Sequence, residues 1–371
     1  MRFKTELNIN LSLFEKNVQS LQGIVKNNEI IFMVKANGYG HGLIEMSQFS
    51  VRETGIKSLG VASLGEAIKL RSELSDEKFD LYTFSELQFD SEDLREHYLN
   101  QRILPVIHSI NDLETFLTDS RFSHCPLVLH FNTGMNRLGI ELSDTELVIK
   151  KVRSSGRSSI SHLMSHFGCA SNSMSSNSHN KRQLQNWDTL KKEIKGSGLD
   201  IEQTSISNSG ALEQGVGLEE SHIRPGLMLY GPSSLIPPLR KDSLWKGHNI
   251  STLKTEVLKV FEVERGQPIG YGATPCPEAG YVVVIALGYG DGFSTKYCGA
   301  NIGEARIHGR VNMDMAQLFY KSDPKLKMGD QFKVWENSLD SIMNFSDETK
   351  TIPYELFCSL TQRVPRTYNN L

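Results

Sequence analysis

The sequence predicts an α/β fold: an N-terminal (β/α)8 TIM barrel followed by a smaller, mostly β-strand domain. Three observations carry this reading. Eight short apolar runs alternate with amphipathic stretches through the first two thirds of the chain. Continuous apolar runs suit strands buried on both faces, as a parallel sheet demands. After residue 240 the texture changes to β-branched runs and glycine turns. A doubly wound sheet is the competing architecture for the first part. The adjacent prolines of "SSLIPPLRKDSLWKGHN" mark the boundary, giving residues 1–240 to the barrel and 241–371 to the β domain.

The barrel strands are expected at 30–35, 58–62, 80–84, 103–108, 127–132, 160–165, 203–207 and 223–230. Helices fill the intervals. "SLFEKNVQSLQGIV" opens with a Ser-x-x-Glu capping box at Ser12 and Glu15, and Phe14, Val18, Leu21 and Val25 share one face. "SLGEAIKLRSEL" repeats the pattern from Ser63, with Ala67, Leu70 and Leu74 aligned. The Ser/Asn-rich run 171–180 reads as a mobile loop. In the second domain, strands are expected at 253–263, 282–287, 305–311, 315–319 and 331–335.

Bulk properties exclude several classes. With 371 residues the chain suits one large and one moderate domain. A formal net charge of −3 gives no electrostatic reason for a nucleic acid or anionic membrane partner. No apolar run approaches the ~20 residues that span a bilayer, and "MRFKTELNINL" lacks the apolar core of a secretory signal. Cys125, Cys169, Cys276, Cys298 and Cys358 are odd in number and form no CxxC, so free thiols in a reducing cytoplasm are expected.

The chemistry starts at "IFMVKANGYGHG". Lys35 ends an apolar strand, where an ammonium is costly unless it is paired, neutralised or covalently used. At the C-terminal rim of a barrel it would face the active site, and a desolvated lysine is the amine type that forms Schiff bases. A lysine that merely snorkels to solvent is the structural alternative. Four later stretches bring polar groups to strand ends: "NTGMNRLG" offers Arg137, "SHFG" offers His166, "SNSG" offers hydroxyl and amide groups, and "RPGLMLYG" combines Arg224 with a Pro-Gly turn. Together they can hold a phosphate and an aromatic nitrogen ring near one lysine. Each has a structural rival: a satisfied core histidine, ion-pair arginines, or methionines that fill space. His162 and His166 are four apart but on an expected strand, without HExxH or a Cys/His set, so no metal site is expected.

"VKANGYGHG", "NTGMNRLG", "HFGCA", "NSGA", "IRPGLMLYG", "YGA", "LGYGDGF", "VNMDM" and "IPYEL" with "RVPR" together resemble the alanine racemase family, fold-type III pyridoxal 5′-phosphate enzymes. The resemblance runs in order from Lys35 to Arg366. It implies that Lys35 holds the cofactor and is one catalytic acid/base, and that Tyr289 is the second, reaching the site from the partner subunit of a homodimer. Arg224 faces the pyridine nitrogen, Arg137 lies beside the phenolic oxygen and substrate, and His166 bridges Tyr289 towards Arg224. Tyr39, Asn208, Ser209, Gly226, Leu227 and Tyr354 bind the cofactor, largely at its phosphate. Met313 meets the substrate carboxylate, and Tyr271 stands with Tyr354 near the entrance. Four positions depart from the family pattern: His130 replaces a commonly carbamylated lysine, Asn132 an aspartate, Ser171 a residue that is usually acidic, and Asn312 a small residue.

Those residue types suit racemisation. Removing a proton from one face of an α-carbon and returning one to the other needs two flanking bases. A neutral lysine amine and a tyrosinate meet that need, provided both titrate below the solution value of about 10. A charged Arg224 at the ring nitrogen discourages its protonation and favours simple proton return over transamination. The expected reaction is interconversion of L- and D-alanine, supplying D-alanine for peptidoglycan. A racemase of broader range, a non-catalytic cofactor-binding protein and a decarboxylase are the rival readings. The last would favour a carboxylate at the pyridine nitrogen.

Overall fold

The computed structural model describes residues 3–25 and 27–369. Eight parallel strands form a nearly closed barrel in the order His222–Ile223, Glu29–Met33, Ser58–Val61, Asp80–Thr83, Ile103–Ile107, Val128–Asn132, Ser159–Met164 and Asp200–Ser205. The ring is drawn together between its two ends by Arg224 N–H donating to the Ser207 carbonyl (3.1 Å) and Thr204 N–H to Ser221 Oγ (2.8 Å). Burial is nearly complete along these strands, with Ile31, Phe32, Leu59, Leu81, Ile107, Leu129 and Leu163 fully enclosed. Each such side chain contributes roughly 1.5–3 kcal/mol.

The expected strand 223–230 is cut short. Pro225 cannot donate to a ladder, and the chain turns at Gly226 into a short helix, Leu227–Tyr230. The first helix, Leu11–Ile24, buries Phe14, Val18 and Leu21 as its periodicity requires. Its cap is Asn10, whose side chain accepts from Leu13 N–H, and Ser12 lies inside the helix. The run 171–180 is pinned: Gln214 accepts from Met174 N–H (2.9 Å) and donates to the Asn172 carbonyl (3.0 Å), and Asn177 caps the helix Ser178–Gly196.

The second sheet is mostly antiparallel and centres on the long strand Ser251–Val263, flanked by Gly280–Ile285 and Gln331–Trp335. The sequence grouped residues 5–10 with the barrel. They instead form a strand here, Thr5–Asn10, antiparallel to Ser251–Val263 (Leu7 opposite Leu253) and parallel to Arg366–Asn369 (Leu7 opposite Arg366). Its alternating burial, with Leu7 and Ile9 inward, is that of a sheet with one face buried. Among the described residues no helix is long and apolar enough to cross a membrane.

Candidate active site

The strand Glu29–Met33 ends just before Lys35, and the backbone then does something costly. Ala36, Asn37 and Gly38 are all left-handed (φ 53°, 56° and 61°), a conformation that disfavours residues carrying a Cβ. Glu66 steadies this turn. Its Oε1 accepts from Ala36 N–H (2.7 Å) and its Oε2 from Ala62 N–H (2.9 Å), joining the ends of two neighbouring strands. Ser63 does cap the following helix at Glu66 N–H, but the Glu66 carboxylate turns towards the lysine loop. From the second domain, Arg366 Nε donates to the Gly40 carbonyl (2.9 Å). Gly40 must be glycine: it is left-handed, and a Cβ there would lie 2.1 Å from the Phe357 carbonyl oxygen.

Lys35 opens into a cavity of about 320 Å3 lined by Tyr39, His130, Arg137, His166, Asn208, Ser209, Arg224, Gly226 and Tyr354, together with Phe84, Ser85 and Cys358. Burial lowers the Lys35 pKa, and the charge of Arg137 lowers it further, favouring the neutral amine. Arg224 is almost fully buried, and among the described residues no carboxylate pairs with it. It donates to Ser205 Oγ and the Ser165 carbonyl, and its Nη2 lies 3.5 Å from His166 Nδ1. Burial brings its pKa down to about 9. His166, whose Nε2 lies 3.4 Å from Asn208 Nδ2, is held well below the usual imidazole range by burial and by Arg224. His130 is pushed down to about 3 by burial and the same cations. Arg137 stands on a loop organised by Asn132, which accepts from Gly134 and Asn136 N–H (both 3.0 Å) and donates to Glu141 (2.9 Å). An amide can do both; an aspartate there could not donate to Glu141.

The lining contains three cationic or potentially cationic side-chain types and no carboxylate. Tyr39 and Ser209 converge on Gly226. Ser209 Oγ accepts from Gly226 N–H (3.0 Å), and a Cβ on Gly226 would sit 2.4 Å from the Tyr39 hydroxyl. Leu227 is fully buried behind this turn. A close-approach glycine, hydroxyls and a buried guanidinium around a desolvated amine fit an anionic aromatic aldehyde bearing a phosphate. A larger cavity of about 1060 Å3 opens at the other end of the barrel, where Arg71 donates to the Phe79 and Arg102 carbonyls (both 3.0 Å). Its lysines, Lys57 and Lys78, share the lining with Glu77, Asp80 and Glu202, and barrel chemistry sits at the strands' C-terminal ends.

Tyr289, Met313 and Tyr271 are absent from this lining, and in the single chain they are 45%, 52% and 71% exposed. Tyr289 and Met313 are nonetheless stitched side by side: Tyr289 N–H donates to the Asn312 carbonyl and Gly290 N–H to that of Met313 (both 2.9 Å). Arg363 braces the pair through Asp291 (3.1 Å) and Asp314 (2.7 Å). The residues that sequence reasoning passed over are Glu66, Phe84, Ser85 and Cys358. Cys358 lies four residues after Tyr354 on the helix Pro353–Cys358 and so shares its face, a spacing that would have flagged it. Phe84 and Ser85 follow a barrel strand, the same positional rule that selected Lys35.

Comparison with known proteins gives one answer along the chain. The description "Alanine racemase, N-terminal domain" matches residues 9–234 and "Alanine racemase, C-terminal domain" residues 250–368. The alanine racemase of Alcanivorax borkumensis is 31% identical over 380 residues, covering 98% of this chain and 99% of that protein. The solved alanine racemase of Acinetobacter baumannii superposes with a TM-score of 0.85 at 26% identity, over 100% of both chains. That of Bartonella henselae, solved with covalently bound pyridoxal phosphate, shares the fold with a TM-score of 0.83 at 23% identity, over 99% of this chain and 100% of that one. A barrel whose rim gathers Lys35, His166 and Arg224, joined to a β domain matched in its own right, makes this chain a member of the alanine racemase family.

Proposed function

We propose that the protein interconverts L- and D-alanine with pyridoxal 5′-phosphate bound covalently at Lys35, and that it supplies D-alanine for peptidoglycan. The observation that carries this reading is a desolvated lysine amine in a cavity lined by arginine, histidine and hydroxyl groups without one carboxylate. When bound, the cofactor supplies the electron sink that makes the substrate α-proton removable.

The chain supplies the rest. Tyr39, Ser209, Gly226, Leu227 and Tyr354 would hold the phosphate, and Asn208 would steady His166 beside Arg224. Arg224 would face the ring nitrogen as a donor, its charge undiminished by any carboxylate. Arg137 and Met313 would orient the substrate carboxylate. Lys35 gives and takes the proton on one face of the α-carbon. The partner subunit's Tyr289 serves the other face, which accounts for a phenol so exposed in one chain. This makes a homodimer with shared sites the working unit, the residues after 240 contributing to the partner's site and Tyr271 standing at its entrance. The described cysteines are all free, which suits a cytoplasmic enzyme.

Two measurements test the reading. Purified protein should show a visible absorption band that borohydride abolishes, and a chiral assay should show racemisation of alanine above other amino acids. Mixing Lys35→Ala with Tyr289→Phe protein should restore activity through one intact site per hybrid dimer. Colourless protein after reconstitution, or no recovery despite subunit exchange, would overturn it. Equal turnover of many amino acids would shift it to a racemase of broader range.

A further inference from the structure

Glu213 is fully buried, and among the described residues no lysine or arginine pairs with it. A carboxylate taken out of water this way is costly unless its oxygens are satisfied. Here they are satisfied entirely by neutral donors. Oε1 accepts from Ser234 N–H (2.6 Å), and Oε2 accepts from the hydroxyls of Ser233 and Ser243 (3.0 Å for the latter). The backbone of the same residue donates to the Ser209 carbonyl (3.0 Å) and accepts from Leu244 N–H (2.9 Å). Ser234 then reaches the second domain: its Oγ lies 3.1 Å from the Tyr354 hydroxyl. One residue thus ties the turn carrying Ser209 to the helix carrying Tyr354, and both of those residues line the cavity.

We infer that Glu213 is a positioning residue that, through Ser234, aims the Tyr354 hydroxyl at the cofactor phosphate. This rests on the functional reading above. Burial pushes the Tyr354 phenol up to about 12, so it stays protonated and can donate to an anionic oxygen. If it donates there, Ser234 Oγ must supply its own proton to the phenol oxygen, which sets the direction in which Tyr354 points. Ser234 is itself held by the N–H bond to Glu213. An apolar residue at 213 would fill the space and leave that N–H, two hydroxyls and the phenol's orientation undetermined.

The test compares pyridoxal 5′-phosphate with pyridoxal, which has the ring and aldehyde but no phosphate. Glu213→Gln keeps the volume but puts an amide NH2 where one acceptor oxygen stood. Its Kd for pyridoxal 5′-phosphate, read from the visible band, should rise about tenfold, the worth of a hydrogen bond to a charged group. Its Kd for pyridoxal should stay unchanged. Ser234→Ala, which leaves the buried carboxylate alone, should reproduce this pattern, and it decides the matter if Glu213→Gln fails to fold. Tyr354→Phe should show the same loss, and adding Ser234→Ala to it should cost nothing more. An equal loss for both ligands, or additive losses in the double variant, would overturn the inference. A wild-type protein with no borohydride-sensitive band would instead overturn the functional reading.

Discussion

The two halves of the proposed site are built in opposite ways. The barrel half is enclosed and pre-set: Arg224 is buried with its donors placed, His166 is kept neutral between Arg224 and Asn208, and Lys35 leaves a backbone turn held by Glu66 and Arg366. The β-domain half is rigid in its backbone yet open in its side chains. Tyr289 and Met313 are fixed to one another by two main-chain bonds while their side chains stand in solvent. Pre-organisation would suit a half that holds the proposed charged cofactor, because donors already in place need no reorganisation during the reaction. Exposure is what the proposed shared site would require of a half completed by a second subunit.

This contrast can be broken or sharpened by substitution. Lys35→Ala should have the largest effect, abolishing the borohydride-sensitive band and lowering racemisation by at least about ten-thousand-fold. Tyr289→Phe should keep the band and lower racemisation by about a hundred- to a thousand-fold. Exchange of the α-proton with deuterium should then survive from one enantiomer and vanish from the other. If both variants lost the band, the two halves would not be separable. Arg224→Glu should increase transamination per turnover, seen as accumulating pyruvate; an unchanged ratio would remove the argument about the ring nitrogen. Glu66→Gln should cost about tenfold in turnover, because one acceptor oxygen is lost from a strained turn. The same substitution at an exposed glutamate of the β domain should cost nothing.

The last effect is on stability rather than turnover, and it is in pH. His41 and His130 are both lowered to about 3 by burial, and His162 and His166 are also held well below 6.5. Their imidazoles charge first in the unfolded chain, so stability is present above pH 6.5 and is lost as pH falls towards the folded values. Each contributes at most about 1.4 kcal/mol per pH unit in that window. Denaturant midpoints should therefore fall between pH 6.5 and 5, before carboxylates begin to titrate. A flat profile would mean that the barrel histidines charge without unfolding it.

Much of the barrel was legible in the sequence because the rule for a doubly buried strand is local: "LVLHFN" announces itself without its neighbours. That Lys35, Arg137, His166 and Arg224 would line one cavity was legible because a barrel's site forms just past such strands. Most of what failed depended on partners far away in the chain. "TELNIN" alternates as a half-buried strand does, yet nothing local says that its partners lie at 251–263 and 366–369. Glu66 read as half of a capping box because its helix is adjacent, while its actual partner, Ala36 N–H, is thirty residues earlier. Strand 223–230 was overextended because its apolar content outweighed Pro225 and Gly226 in the reading, though not in the backbone.

The pairing of Thr5–Asn10 with Arg366–Asn369 joins two stretches that lie far apart along the chain. A contact of this kind closes a very long loop, so its entropic cost has to be met before the pairing rewards the fold. Arg366, which grips the loop beside Lys35, belongs to that strip. The clasp on the lysine loop should therefore rank among the slow contacts of refolding, with the local strand-helix units of the barrel forming ahead of it.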